Sequence, residues 1–200
     1  MPRQYSMDNR SQVSATTRLR VLDATAVVLA DVGANNLTMQ AVAKAADVAL
    51  RTVYNHFPSK EALIVEAYNR IAGASQDAVR ALSPDGTARE RVARFVDAWY
   101  DTLDEQSPGA AAVLTVTGIP EYDAQQRAVR AWRRKELTAI VRQAEREGTL
   151  QIPVKEGVAV VFLWTSFATW HSLVVESKLG PVEAKAVALV AVDRLLFESD

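Results

Sequence analysis

An all-α fold is what this sequence predicts, and three features carry the expectation. Apolar residues recur at helical spacing in most segments. No segment sustains the period-2 alternation of a half-buried strand. Gly, Pro and Ser/Thr/Asp groups punctuate the chain at helix-length intervals. The pattern reads as about nine helices with short loops, a small N-terminal domain preceding a larger helical one.

The elements follow in order. Residues 1–15 are polar without periodicity and read as a flexible N-terminal arm. Thr16 or Thr17 is placed to cap a first helix, in which Leu22, Ala26, Leu29 and Ala30 share a face and Gly33 stands as C-cap. Thr38 caps a short second helix, Met39 to Ala46. Asp47-Val48-Ala49 breaks it from a third, Leu50 to Phe57, which Pro58 stops. Ser59 caps a fourth, running to about Leu82. Thr87 opens a fifth, through about Glu105, and Gln106-Ser107-Pro108-Gly109 breaks it. A short apolar sixth covers Ala110 to Thr117. A long amphipathic seventh runs from Asp123 to Glu147, with Gly148 as C-cap. Pro153 opens a very apolar eighth helix expected to continue to about Leu179. A ninth ends near Phe197.

Composition narrows the chemistry. The 200 residues, 49% hydrophobic and 24% charged, exclude wholesale disorder and suffice for a real core. There is no cysteine, which removes disulfides, cysteine nucleophiles, iron–sulfur clusters and thiolate zinc sites. With only His56 and His171, a three-histidine metal site is impossible. Residues 61–200 contain no Gly-rich phosphate loop, no G-x-S-x-G elbow and no H-E-x-x-H, so no catalytic residue, cofactor or metal is expected. The longest near-continuous apolar stretch, Val158 to Trp164, is far short of the roughly 18 residues a bilayer span needs. The N-terminus lacks the apolar core of a signal peptide. A cytoplasmic protein is expected. The net charge of −1 conceals an asymmetry: residues 1–60 carry +3 and residues 61–200 carry −4. A basic end is compatible with nucleic acid, although a charge of that size by itself is equally compatible with chance.

Two short helices separated by three residues have helix-turn-helix spacing, in which the second enters the DNA major groove. Ala43 is small where two helices must cross closely. Val48 and Val53 fill the space between them, and Phe57 lies one turn beyond Val53 on the same face. The other side of the third helix carries Arg51, Thr52, Tyr54, Asn55 and His56, donors suited to base edges and phosphates.

The stretch Leu37 to Leu63, LTMQAVAKAADVALRTVYNHFPSKEAL, resembles the DNA-binding signature of the tetracycline-repressor (TetR) family. The resemblance extends upstream to Arg18 and covers roughly a quarter of the chain; the rest matches only in length and helix number. Two positions depart from the pattern. Asp47 stands where the family usually has glycine in the turn, a residue that tolerates left-handed backbone at some strain. Ala49 stands where serine or threonine often caps the recognition helix, weakening that start by about 0.5–2 kcal/mol.

The resemblance implies roles that the chemistry supports. Thr38, Tyr54, His56 and Lys60 are candidate phosphate contacts, with Arg18 and Arg20 reaching flanking phosphates. Leu50, Arg51, Thr52 and Asn55 are candidates for base edges. For each, the competing reading is a solvated surface side chain. Residues 16–60 form the expected DNA-binding domain and 61–200 a ligand-binding and dimerisation domain.

That larger domain is rich in bulky apolar groups. Trp99, Leu103, Leu114, Trp132, Trp164, Phe167 and His171 are the candidate lining of a pocket for a small, largely apolar effector. Plain core packing is the competing reading for each, and Asp97, Asp101 and Arg130 are further polar candidates. The last two helices are apolar nearly all round, as a homodimer interface requires. The implied protein is a dimeric repressor on a near-palindromic double-stranded operator, released when effector binds. The alternative is a DNA-binding activator or architectural regulator without a small-molecule switch. An all-helical enzyme lacks an acid/base constellation here, and a protein–protein adaptor has no need of the signature around Tyr54.

Overall fold

The computed structural model describes residues 3–105, 109–114 and 116–198. Within them lie ten α-helices and one π-helical turn. These are α1 (Arg3–Asn36), α2 (Met39–Ala45), α3 (Leu50–His56), α4 (Lys60–Arg80), α5 (Ala88–Glu105), α6 (Gly109–Leu114), α7 (Pro120–Glu147), α8 (Val154–Trp164), α9 (Phe167–His171), the π turn Ser172–Glu176 and α10 (Pro181–Leu196). The all-α expectation holds: among the described residues the only extended pairing is an isolated bridge between Leu150 and Phe197. The expected break at 106–108 lies outside the described residues.

The chain divides into two compact units, Met1–Ile71 with Pro108–Asp123, and Ala72–Ser107 with Ala124–Asp200. The sequence placed a boundary near residue 60 and assigned everything beyond it to one domain. By contact, α6 and the start of α7 group with the first helices.

In the first unit, α1 begins at Arg3, well before the expected caps. No glycine or proline interrupts residues 3–32, so nothing local stops the helix from extending. Thr16 and Thr17 do not cap it; their hydroxyls donate to the Gln12 and Val13 carbonyls, the back-bonding of a mid-helix residue. Gly33 turns the chain at φ 74°, and its carbonyl accepts from the Leu37 amide at 3.1 Å. Val21, Leu29, Leu37, Val42, Val53, Phe57, Leu63 and Ile64 make the core. α6 packs on α1. Tyr122, at the start of α7, donates to the Val113 carbonyl at 2.6 Å and meets Tyr68 edge-on, centroids 4.8 Å apart.

In the second unit, α5 and α10 are joined by two sets of charges. Arg89 grips both oxygens of Asp193, at 2.6 and 2.8 Å. Lys185 bridges Asp101 and Asp97, at 2.7 and 2.8 Å, and those hydrogen bonds hold its ammonium above the usual lysine range. Glu147 reaches the Ala88 amide at 3.0 Å, closing the start of α5 with a carboxylate from α7. Gly157 lets α8 approach α7: a Cβ there would stand 3.0 Å from Val141 Cγ1.

The apolar run from residue 153 to 179 is not one helix. α8 ends at Trp164, α9 restarts at Phe167, and the two segments bend by 46°. Ser166 accepts from the Thr169 amide and caps α9. The carbonyls released at the break find donors from elsewhere. Tyr100 Oη donates to the Trp164 carbonyl at 2.9 Å, and Arg133 Nη1 donates to the Thr165 carbonyl at 2.7 Å. Among the described residues no single helix is long and apolar enough to cross a membrane.

Candidate nucleic-acid interface

The α2–turn–α3 unit is built from local chemistry. Thr38 Oγ1 accepts from the Ala41 amide at 3.1 Å and starts α2 as expected. Asp47 adopts φ 50°, the left-handed conformation the turn requires. The Val48 amide donates to the Ala43 carbonyl at 3.0 Å, closing the turn. Ala49 precedes α3 with an extended backbone and no side-chain cap. Leu37, Met39, Val42, Ala43 and Ala46 are buried, and so are Val53 and Phe57 on the inner side of α3.

That burial fixes which face of α3 is left outside. Arg51 and Asn55 are exposed, and Tyr54 is 50% exposed. Leu50, Thr52 and His56 are half-buried at its margin, with the His56 ring 6.2 Å from that of Phe57. A guanidinium, an amide and a phenol are thereby presented together on the side of α3 away from Val53.

The flanking cations are held differently. Lys60, at the start of α4, is half-buried and its ammonium lies 3.4 Å from the Ala34 carbonyl. Ser59 Oγ accepts from the Ala62 amide at the same helix start. Glu61 beside it is held below the usual glutamate range, first by its own backbone amide and then by the Ser59 hydroxyl. Arg20 lies 3.4 Å from the Asp47 carbonyl. Arg18, expected to reach phosphates, is engaged inside the unit: it pairs with Glu66 of α4 and lies over the Phe57 ring, 5.0 Å from its centroid. In this arrangement it ties α1 to α4. Glu66, the residue that decides this, carried no signal in the sequence beyond being one charge on a helix.

Of the residues expected to line an effector pocket, Leu114 sits on α6 in the first unit and the other six belong to the second. Trp99 and Leu103 are buried, whereas Trp132, Trp164, Phe167 and His171 are half-buried. Phe167 meets both Trp170 and His171, centroids 5.7 and 5.6 Å apart. His171 Nδ1 is 3.8 Å from Glu176. Trp132 carries the Arg80 guanidinium over its ring at 5.5 Å. Asp97 and Asp101 serve Lys185, and Arg130 donates to Gln126.

Arg133 was missed. In an arginine-rich helix it reads as one more solvated charge, yet it is buried, with its guanidinium 3.9 Å from the Phe162 centroid and 4.9 Å from that of Trp99. A signal existed: Arg133, Leu137, Ile140 and Ala144 share one face of α7, and the other three are buried apolar residues. Among the described residues no cluster of His, Asp and Glu is arranged to hold a metal ion.

Residues 21–67 match the family model described as bacterial regulatory proteins, tetR family. A 60-residue stretch is 43% identical to the HTH-type transcriptional repressor KstR of Mycolicibacterium smegmatis, covering 30% of this chain and 29% of that protein. The matched part thus spans about three tenths of the length of such curated relatives. Over most of the chain the likeness is of fold. A bacterial regulatory protein of the tetR family from Rhodococcus RHA1 superposes with a TM-score of 0.77 at 19% identity, covering 92% of this chain and 98% of that one. A SmeT–triclosan complex does so with a TM-score of 0.71 at 15% identity, covering 92% and 93%. Through residues 21–67 the chain is similar to the tetR family of bacterial regulatory proteins.

Proposed function

We propose that this protein is a sequence-specific repressor that binds a near-palindromic DNA operator as a homodimer and leaves it when a small, largely apolar effector occupies its second unit. The observation that carries the reading is α3: an inner face closed by Val53 and Phe57, and an outer face presenting Arg51, Tyr54 and Asn55. Arg51 and Asn55 suit base edges, with Thr52 and Leu50 beside them. Thr38, Tyr54, His56 and Lys60 suit phosphates.

The relative KstR is a transcriptional repressor by name, and the SmeT structure is a complex with triclosan. Both support the reading for this chain. The dimer is supported by apolar side chains left in solvent on α8 and α10. Leu163 is 61% exposed, Val182 77% and Val190 61%, with Val187 and Leu195 also exposed. To read a near-palindrome, a two-fold dimer needs its two α3 helices about 34–36 Å apart, one DNA turn. α4 and α7 each contribute residues to both units, and α4, which starts directly after the helix-turn-helix, is the proposed route by which effector and DNA are coupled.

The test is fluorescence anisotropy with the duplex flanking this protein's own gene, a scrambled duplex as control, at two salt concentrations. Sequence-dependent, salt-dependent binding by two protomers or more per site supports the repressor. Equal, weak binding to both duplexes, repeated with metabolite extract and with genome-wide selection of bound fragments, removes it. Effector that tightens DNA binding makes the system a corepressor one. A strictly monomeric species in sizing with light scattering at micromolar concentration removes the dimer.

A further inference from the structure

We infer that the indole N–H of Trp99 is the polar anchor of the effector site, and that the effector is an apolar molecule bearing an oxygen acceptor, a carboxylate in preference to a ketone. The inference rests on the effector-released reading above and gives that effector a chemical class.

Trp99 is 6% exposed, and its Nε1 is buried without an acceptor among the described residues. The groups placed against the ring give it none. Phe95, one turn earlier on α5, lies parallel to the indole at a centroid distance of 5.7 Å and has no acceptor atom in its side chain. The Arg133 guanidinium, 4.9 Å from the ring centroid, is all donor. Natural interiors rarely leave such a group unmatched, because burying a donor removes its hydrogen bond to water and returns nothing. A phenylalanine at position 99 would keep the stacking and bury no donor. The indole is therefore explained by a partner that comes from outside the fold, with an oxygen in the plane of the ring.

The surroundings choose among such partners. The aromatic rings of Phe95, Trp99 and Phe162 offer apolar contact, which favours a largely hydrocarbon body. Arg133, 3.9 Å from the Phe162 centroid and at the same time over Trp99, puts a positive charge over the ring that carries the donor. At an effective dielectric well below that of water, this field favours an anionic oxygen over a neutral one. Strain at an unmatched donor in the free protein is the trade of stability for function expected at a binding site.

The experiment uses the full-length, nitrogen-15-labelled protein and two matched probe series: benzoate, acetophenone and ethylbenzene, then 2-naphthoate, 2-acetylnaphthalene and 2-ethylnaphthalene. The indole N–H signals of Trp99, Trp132, Trp164 and Trp170 are followed by NMR. The Trp99 signal is assigned by its loss in W99F or, should that variant fold poorly, by its NOEs to the Phe95 ring. The expected result is a downfield shift of this N–H with the carboxylate and ketone of at least one series and none with the ethyl compound, the carboxylate binding more tightly. W99F should weaken carboxylate and ketone binding by about tenfold, the worth of one hydrogen bond, and leave the ethyl compound unchanged. The inference is overturned if no oxygen-bearing probe moves the Trp99 signal, or if the ethyl compounds bind as tightly as their oxygen-bearing partners. Anisotropy with operator DNA keeps the two questions apart. A chain that ignores DNA defeats the repressor reading whatever the indole does; a chain that binds DNA while its Trp99 signal stays fixed defeats only this one.

Discussion

Arg133 Nη1 donates to the carbonyl of Thr165 at 2.7 Å, from one helix to the end of another. The contact supplies, from α7, a donor that the continuing helix would have supplied from its own backbone. Tyr100 does the same from α5 for Trp164, one residue earlier. The bend between α8 and α9 is thus held by side chains that the local sequence does not contain.

Replacing Arg133 with methionine keeps much of the volume and removes the donors. Buried carbonyls then lose their partner, which costs about 1–3 kcal/mol each. R133M should lower unfolding stability by roughly 2–3 kcal/mol in urea, followed by tryptophan emission. An unchanged midpoint would mean the bend does not depend on this guanidinium.

Arg51 and Lys60 should fail in different ways. R51A should cost about 1–3 kcal/mol per half-site and broaden the sequence preference measured by selection from random duplexes. K60A should weaken all sequences alike and reduce the slope of log affinity against log salt by about one phosphate's worth. If the R51A profile keeps its shape, Arg51 does not read bases.

The start of α3 can be improved. Ala49 precedes α3 in extended backbone with no side-chain cap, so A49S supplies a hydroxyl where an orphan amide waits. Thermal unfolding should rise by the equivalent of about 0.5–1 kcal/mol. Stability that stays level would show that the hydroxyl does not reach the helix amides.

Alkaline pH should act through Tyr100. Burial pushes its phenol from the ordinary value of 10.0 up to about 12. The unfolded chain then loses this proton first. The stabilisation is complete below pH 10 and is lost as pH rises from about 10 to about 12, because only the unfolded state can release the proton there. Y100F removes the titrating group, so the variant's stability should fall less steeply than the parent's across that window. Parallel curves in paired denaturation series would contradict this assignment.

The helix-turn-helix was legible because its determinants lie within one short stretch. A cap at Thr38, a residue able to take positive φ at Asp47, and apolar positions one turn apart at Val53 and Phe57 specify it locally. Arg51, Tyr54 and Asn55 then had to face outward, since their neighbours on the helix face inward. Arg18 was legible as a cation but not as a partner of Glu66, which lies on another helix 48 residues away.

By itself, then, the sequence determined the helical class, most element limits, the turn geometry at Asp47 and the outward face of α3, all of which depend on residues within a turn or two of each other. Tertiary structure decided the grouping of α6 and the start of α7 with α1, the engagement of Arg18, and the break after Trp164. The last shows the reason most directly. Hydropathy and periodicity record where apolar surface lies along the chain, whereas a helix ends where its carbonyls find better-placed donors, and those of Thr165 and Trp164 come from Arg133 and Tyr100, 32 and 64 residues away.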